Sequence, residues 1–500
     1  MSWLMKKRIH QIELFMKYPH EVQQEWLLRL VDAAKQTEWG TKYNYTNIRN
    51  YQDFKNQVPI QDYETLKPYI EKQMMGEQNL LWPTEINWFA KSSGTTGDKS
   101  KYIPVSQEAL EECHYKGGKD MLSLYCNNYP ETRLFSGKHL ALGGSLKLNS
   151  LRQDGTTSYA GDLSAIIMQN LPIWAELYRT PNLSIALMDE WESKLEKLTE
   201  SSIQEDVVSL GGVPSWMLVL SKYILQKTKK SHLIEIWPNL EVFFHGGISF
   251  EPYRDQFRRL MPAMDMNFFE TYNASEGFFG IQDRTGAQDM LLMLDYGIFY
   301  EFMQMDEYGK VGDKVVSLDE VELDKVYSLL ISTNAGLWRY QIGDTIRFTS
   351  LHPFRIQISG RTKHFINAFG EELMIDNADR ALRIACDKTG AIINEYTAAP
   401  QFMEGNVKAH HDWLIEFEKE PEDVLYFTEM LDNALKSLNS DYEAKRYQNL
   451  ILQKPSVIKA RKNLFYHWLQ SKNKLGGQYK VPRLSNNRIY INEMLGLNRE

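Results

Sequence analysis

Cysteine is scarce in this chain: three in 500 residues (Cys113, Cys126 and Cys386), with no CxxC pair among them. That usage excludes a disulfide framework and a cysteine-based zinc site, and it fits a reducing compartment. Long hydrophobic runs are missing as well. None approaches the roughly 18 apolar residues that a membrane-spanning helix needs. The opening MSWLMKKRIHQIELF carries charge throughout and has no small-residue cleavage site behind an apolar core, so it does not read as a signal peptide. A cytoplasmic protein with no membrane partner is the expectation. Repeats and low-complexity stretches are absent too. The net charge of −8 offers nucleic acid no general attraction.

What is present is ordinary globular material, 43% hydrophobic and 24% charged. Five hundred residues exceed what one core organises, which implies two or more domains. The charge is uneven: residues 441–500 hold twelve Lys and Arg against four acids, on a chain that is otherwise acidic. A basic end of this kind suits a nucleic-acid tail or a lid over phosphates. Leu464, Phe465, Tyr466, Trp468 and Leu469 within it argue for a folded lid.

Helical periodicity marks the first 40 residues (Ile9, Ile12, Phe15, Met16, then Trp26, Leu27, Leu30, Val31, Ala34), with Gly40 as the expected stop. Short β-rich runs follow at residues 206–210, 240–244, 264–269, 327–332 and 345–348, with helical stretches between several of them. The alternation predicts an α/β fold with ligand loops at strand ends. The pattern restarts on a smaller scale near residue 361. Helices are expected at 377–388, 422–438 and 460–470, and strands at 391–398, 413–418 and 456–458. The predicted architecture is a large N-terminal domain, residues 1–360, and a small α/β cap, residues 361–500, with a hinge near 359–363.

Three clusters carry candidate chemistry. KSSGTTGDKSKYIPVS gathers Ser92, Ser93, Gly94, Thr95, Thr96, Gly97, Lys99 and Lys101. Glycines let backbone N–H groups approach an anion, hydroxyls add donors and lysines neutralise charge. The Walker A spacing cannot be laid on it. Alone, the stretch reads equally as a polar surface loop. FFETYNASEGFFG reads as a strand ending near Phe269, with Thr271, Tyr272, Asn273, Ser275 and Glu276 bunched at its mouth. Tyr272 suits a nucleobase and Glu276 suits Mg²⁺, a hard ion that prefers carboxylate oxygen; a solvated turn is the other reading. LWRYQIGDTIRF places Gly343–Asp344 between two β-rich runs, first of all a hairpin turn. Otherwise Asp344 has two oxygens with which to accept both hydroxyls of a ribose.

Taken together, SSGTTG with its following lysines, YNASE and YQIGD, in this order, resemble the adenylate-forming superfamily of acyl ligases. The forms SSGTTGDKSKYIPVS, TYNASEG, GDLSAIIMQNLPIWAELYRTP and GGQYKVPRL narrow the likeness. They look like the acyl-acid amido synthetases of the Gretchen Hagen, or auxin-responsive promoter, family, and more like its bacterial members than its plant ones. The resemblance runs from about residue 80 to 490.

It implies a large, multi-subdomain adenylation domain with a mobile cap. Ser92, Ser93, Gly94, Thr95, Thr96, Gly97 and Lys101 would cradle the triphosphate of ATP. Gly246 and Gly247, in FFHGGISF, would lie against adenine with Thr271 and Tyr272. Glu276 would bind Mg²⁺, and Asp344 the ribose, joined by Arg361 at the hinge. Lys480 would be the lysine that the cap brings to the α-phosphate. Val213, Ser215 and Trp216, in GGVPSWM, are candidates for the acyl cavity, with core packing as the other reading of Trp216. His245 reads as a core or strand-end histidine, and His410–His411 lack the spacing of a metal site. The implied activity joins a small-molecule carboxylic acid to an amine, with an amino acid as the expected amine, and yields an amide; which acid, and the oligomeric state, stay open. Acyl-CoA ligation on the same scaffold is one alternative, and a non-catalytic nucleotide- or nucleic-acid-binding role is another.

Overall fold

The computed structural model describes residues 2–95, 100–151, 155–188, 190–248, 250, 253–262, 266–305, 311–361, 365–403, 408–449, 451–472 and 481–499, some of them by backbone alone. The chain divides into two compact units. One comprises residues 1–92 and 101–362, the other residues 93–100 and 363–500. Among the described residues no helix is long and apolar enough to cross a membrane.

The larger unit is built on a twelve-stranded sheet. One half is parallel: Arg179–Thr180, Lys138–Ala141, Val207–Gly212, Val242–Gly246 and Asn267–Ala274 pair side by side. The other half is antiparallel. Asn267–Ala274 turns back into Gly277–Ile281, and the ladder continues through Met290–Leu292, Phe354–Arg361, Tyr340–Leu351, Val326–Thr333, Ile298–Met305 and Val311–Val316. Asn267–Ala274 therefore belongs to both halves. A second sheet of four strands holds Trp88–Thr95 and Ser100–Val105. In it Trp88 pairs with Tyr159, and their rings stack at 4.8 Å.

The N-terminal helices cover the antiparallel half. Their course corrects one expectation: Gly40 does not end a single long helix. The first helix, Ser2–Lys17, stops before Pro19, which opens the second, Pro19–Ala34. Proline has no N–H to give the preceding turn and is at home in a first turn. Gly40 lies inside a third helix, Glu38–Lys42, capped by the Thr37 hydroxyl. The second helix buries Trp26, Leu27, Leu30, Val31 and Ala34 on one stripe. Its buried Gln23 donates to the Leu294 and Ile298 carbonyls and accepts from the Tyr300 N–H, each at 2.9 Å.

Two ion clusters fix these helices. Arg8 makes two bonds to Asp120 and two to Asp295, all between 2.7 and 2.9 Å, with Tyr296 donating to Asp120 and Lys116 donating to the Asp295 carbonyl. Arg339 is bidentate to Glu301, both buried, and donates to the carbonyls of Lys55 and Val58, while Tyr51 donates to Glu301. Burial pushes the Asp120 carboxyl up despite Arg8, whereas Arg8 and Lys116 hold Asp295 below the usual range against its own burial.

The smaller unit carries a three-stranded sheet: Ile392–Gln401 antiparallel to His410–Lys419, which runs parallel to Ser456–Lys459. Helices Ile375–Thr389 and Val424–Leu438 are the longest there, and the second is capped by Asp423. Leu464–Ser471 and Ile489–Arg499 pack Phe465, Trp468, Ile491 and Met494 against Ala399 and Leu414. His411 pairs with Glu371 at 2.8 Å, both side chains wholly buried. His410 is drawn up in pKa by Asp412, which Arg488 also holds. The cysteines are free.

The Arg8 cluster sets a first expectation. Replacing Arg8 by Met leaves the buried Asp120 carboxylate without its cation, while Asp295 keeps Lys116 at 3.0 Å, and breaking such a buried pair costs about 3–5 kcal/mol. The variant should unfold at clearly lower denaturant than the parent, whereas Arg29→Met, which breaks an exposed pair with Glu112, should shift the midpoint little. Equal midpoints for parent and Arg8→Met, read by near-ultraviolet circular dichroism, would contradict this.

Candidate active site

The second and third sequence clusters form structures other than those expected. Asn267–Ala274 does not end at Phe269. It continues through Thr271, Tyr272 and Asn273, and only Ser275–Glu276 turn before Gly277–Ile281 returns. The reason is lateral pairing: Thr271 through Ala274 have partners across the hairpin, which hold them extended. Gly343–Asp344 is not a hairpin turn either. Tyr340–Leu351 is one strand, and Gly343 sits in it at φ 97°. Ser328 faces Thr345 while Leu330 faces Gln341, so the strand bulges between. Glycine tolerates that left-handed conformation, and bulges re-aim the side chains beside them.

The bulge turns Asp344 toward the hairpin. Tyr272 donates its hydroxyl to Asp344 Oδ2 at 2.7 Å, with both residues buried. Behind Tyr272, Phe279 packs edge-on at 4.8 Å. On its own ladder Asp344 stands directly opposite Arg361. On the parallel side Gly246 pairs with Thr271, whose hydroxyl donates to the His245 carbonyl at 3.2 Å. A Cβ at Gly246 would lie 2.4 Å from the Thr271 carbonyl oxygen, so no larger residue fits without moving that strand. Gly246, Thr271, Tyr272, Asp344 and the backbone of Arg361 thus form one continuous seam.

The first cluster is joined to the seam through residues 61–63. It is two strands, Trp88–Thr95 and Ser100–Val105, rather than a continuous loop. Gln61 bridges to Tyr340 at the start of the bulged strand, and Tyr63 accepts the Tyr102 N–H at 2.9 Å. Lys101 lies over the Tyr63 ring, 5.7 Å from its centre. Ser92 is half-buried, and so is Glu276 at the hairpin turn. Val213 is the N-cap residue of helix Pro214–Thr228, which Pro214 opens as expected, and Trp216 is half-buried in its first turn. Gly247 follows Gly246 at φ 83°, and a Cβ built on it would lie 3.4 Å from the Val213 side chain.

Thr96, Gly97, Lys99 and Lys480 lie outside the described residues, as do the side chains of Ser93, Thr95, Ser215 and Arg361 and the surroundings of Gly94. His245 is buried and ring-stacked on Phe250 at 4.0 Å, and burial with Arg254 nearby lowers its pKa to about 3. His114, which no local motif singles out, is equally buried beside the hairpin, and its pKa is pushed down to about 4.

These two histidines fold as neutral rings, while the unfolded chain protonates them near pH 6.5. Below that pH the unfolded state binds protons that the native state refuses, so stability falls as pH drops from about 6.5 toward 4. The slope is up to about 1.4 kcal/mol per pH unit for each ring. The expected result is a melting temperature that declines through this window, less steeply in His245→Asn. A variant with an unchanged slope would show that His245 takes no part in the decline. Within the seam, Tyr272→Phe removes the hydroxyl bond to Asp344, and a bond to a charged group is worth about 1.5–3 kcal/mol. If Asp344 and Tyr272 hold nucleotide, its affinity should fall roughly tenfold or more in Tyr272→Phe by calorimetry.

The comparisons with known proteins agree along the whole chain. Residues 8–266 match the GH3 family N-terminal domain, 291–361 the GH3 family central domain and 376–489 the GH3 family C-terminal domain. The indole-3-acetic acid-amido synthetase GH3.4 of Arabidopsis thaliana is 24% identical over 95% of this chain and 91% of its own length. The 4-substituted benzoates-glutamate ligase GH3.12 of the same plant is 24% identical over 60% and 61%. Among solved structures, the GH3.15 acyl acid amido synthetase shares the fold with a TM-score of 0.63, at 17% identity, covering 98% of this chain and 96% of that one. With its three domain models matched in order, the chain belongs to the GH3 family.

Proposed function

We propose that this protein is an ATP-dependent acyl-acid amido synthetase, which activates a carboxylic acid as its acyl-adenylate and passes the acyl group to an amino acid. Family membership along the chain, and the names of the two plant relatives, one an amido synthetase and the other a benzoates-glutamate ligase, support the reaction class. The observation that carries the site is the Tyr272–Asp344 bond. It gathers an aromatic ring, a carboxylate and, across the ladder, Arg361 at one spot beside a glycine strand end.

In this reading residues 1–360 form the adenylation domain and 361–500 the cap. A carboxylate is a poor electrophile, and AMP gives it a leaving group. A carboxylate oxygen attacks the α-phosphorus, the bond to the bridging oxygen breaks, and pyrophosphate departs. An amine then attacks the acyl carbon, the acyl–oxygen bond breaks, AMP leaves and the nitrogen loses a proton. Such chemistry needs positioning and charge neutralisation more than covalent help. Tyr272 offers adenine a flat face, with Thr271, Gly246 and Gly247 as its backbone neighbours. Asp344, held by Tyr272, is the carboxylate for the ribose hydroxyls, opposite Arg361 on the ladder. Ser92, Ser93, Gly94, Thr95, Thr96, Gly97 and Lys101 hold the phosphates, and Lys480 carries charge to the α-phosphate. Val213, Ser215 and Trp216 face the acyl group.

Glu276 suits Mg²⁺ by its donor chemistry, a hard carboxylate oxygen on a half-buried turn. Among the described residues no group of three metal-binding side chains occurs, so the nucleotide's phosphate oxygens and water would complete the shell. Bound there, the ion neutralises phosphate charge.

Pyrophosphate exchange into ATP over a panel of acids, followed by a panel of amino acids and coenzyme A as acceptors, tests this. Acid-dependent exchange and amide formation are expected. Exchange with thioester as the sole product would make the protein an acyl-CoA ligase, and exchange with no acid would count against adenylation altogether. Lys480→Ala should lose adenylation yet still convert supplied acyl-adenylate to amide. Equal loss of both half-reactions would overturn the assignment of Lys480 to the α-phosphate.

A further inference from the structure

A helix of unusual form backs the hairpin. Residues 109–115 are π-helical and run into the α-helix Lys116–Asn128. Such widened turns are rare and concentrate where a helix must deliver particular side chains. This one and the first turn of the α-helix after it bring three residues to the hairpin. Cys113 Sγ accepts the Phe278 N–H at 3.1 Å. Gly117 lies so close to the Phe278 ring that a Cβ there would sit 2.6 Å from it. Phe278 is paired with Asn273 across the hairpin, so His114, between these contacts, comes to Asn273.

His114 and Asn273 are complementary and incomplete. His114 Nδ1 and Asn273 Oδ1 are both buried, and among the described residues neither makes a well-formed hydrogen bond, although the ring and the amide interact with one another. A buried polar atom left in that state costs about 1–3 kcal/mol. A ring this deeply buried is neutral, so it carries one N–H to donate. Asn273 adjoins Tyr272, and only Ala274 and Ser275 separate it from Glu276.

We propose that His114 is a positioning residue for Mg·ATP: its Nδ1–H donates to Asn273 Oδ1 when the hairpin takes up nucleotide, fixing Tyr272 on one side and Glu276 on the other. The inference rests on the hairpin being the nucleotide site. It adds a residue from a different element, one that touches neither substrate.

The two amide side chains separate this role from simple space filling. Asparagine carries an N–H near the position of imidazole Nδ1, whereas glutamine reaches toward Nε2 while filling the volume better. Mg·ATP affinity by calorimetry, and the KM values for ATP and for acid in pyrophosphate exchange, would be compared in the parent, His114→Asn, His114→Gln, Asn273→Ala and the doubly substituted His114→Gln, Asn273→Ala protein, with melting temperatures alongside. His114→Gln is expected to weaken Mg·ATP at least tenfold with the acid KM within twofold. His114→Asn should return the affinity to within threefold of the parent, and the double variant should be no weaker than Asn273→Ala alone. Glutamine serving as well as asparagine, or affinity losses that merely follow melting temperature, would overturn the proposal. A parent that binds Mg·ATP yet gives no acid-dependent exchange would defeat the ligase reading, and the asparagine–glutamine contrast in binding would still decide the role of His114. A parent that binds no Mg·ATP would defeat both.

Discussion

The large unit depends on a bond between two strands that are not neighbours. Between the strand of Tyr272 and that of Asp344 the ladder holds three others, about 19 Å of separation if the sheet were flat. A tyrosine and an aspartate cannot span that. Their 2.7 Å contact therefore requires the sheet to curl until its parallel–antiparallel junction meets its antiparallel middle. Twist supplies part of the curl, and the bulge at Gly343 supplies the local bend that aims Asp344 inward. The interior of the curl is filled by aromatic rings, Tyr272 on Phe279 and Phe279 on Tyr300.

The N-terminal helices hold that curvature from outside. Arg8 reaches both the helix that backs the hairpin and the turn before Ile298–Met305, while Arg339 ties residues 55–58 to Glu301 just before the bulged strand begins. Buried ion pairs of this kind add less stability than their geometry suggests, since each ion gives up its hydration. What they contribute in this fold is register. An apolar contact in either place would tolerate sliding; two forked arginines do not. Of the two arginines that grip the site's framework, Arg8 is distant from it in sequence, whereas Arg339 directly precedes the strand of Asp344.

Much of this organisation was legible in the residues. The α/β alternation and Pro214 at the head of a helix were readable because each rests on local pattern. The family was readable from three short motifs in order together with two further stretches, GDLSAIIMQNLPIWAELYRTP and GGQYKVPRL. Local pattern failed where pairing partners decide the outcome. TYNASEG looked like a polar mouth because its side chains are polar, yet its backbone is held extended by a partner strand. IGD looked like a turn because glycine and aspartate favour turns, yet long strands on either side absorb it as a bulge. His114 left no trace at all. Its meaning comes from the residue facing it, 159 positions later.

The curl also has a consequence for how the chain must fold. The strands Val326–Thr333, Tyr340–Leu351 and Phe354–Arg361 follow one another through short connections, so their contacts close over small sequence separations and form early. The parallel strands wait for their crossovers, and loop closure slows them. The Tyr272–Asp344 bond joins the two groups across 72 residues. It can form only once both are in place, which makes it a late event and a marker of the finished domain.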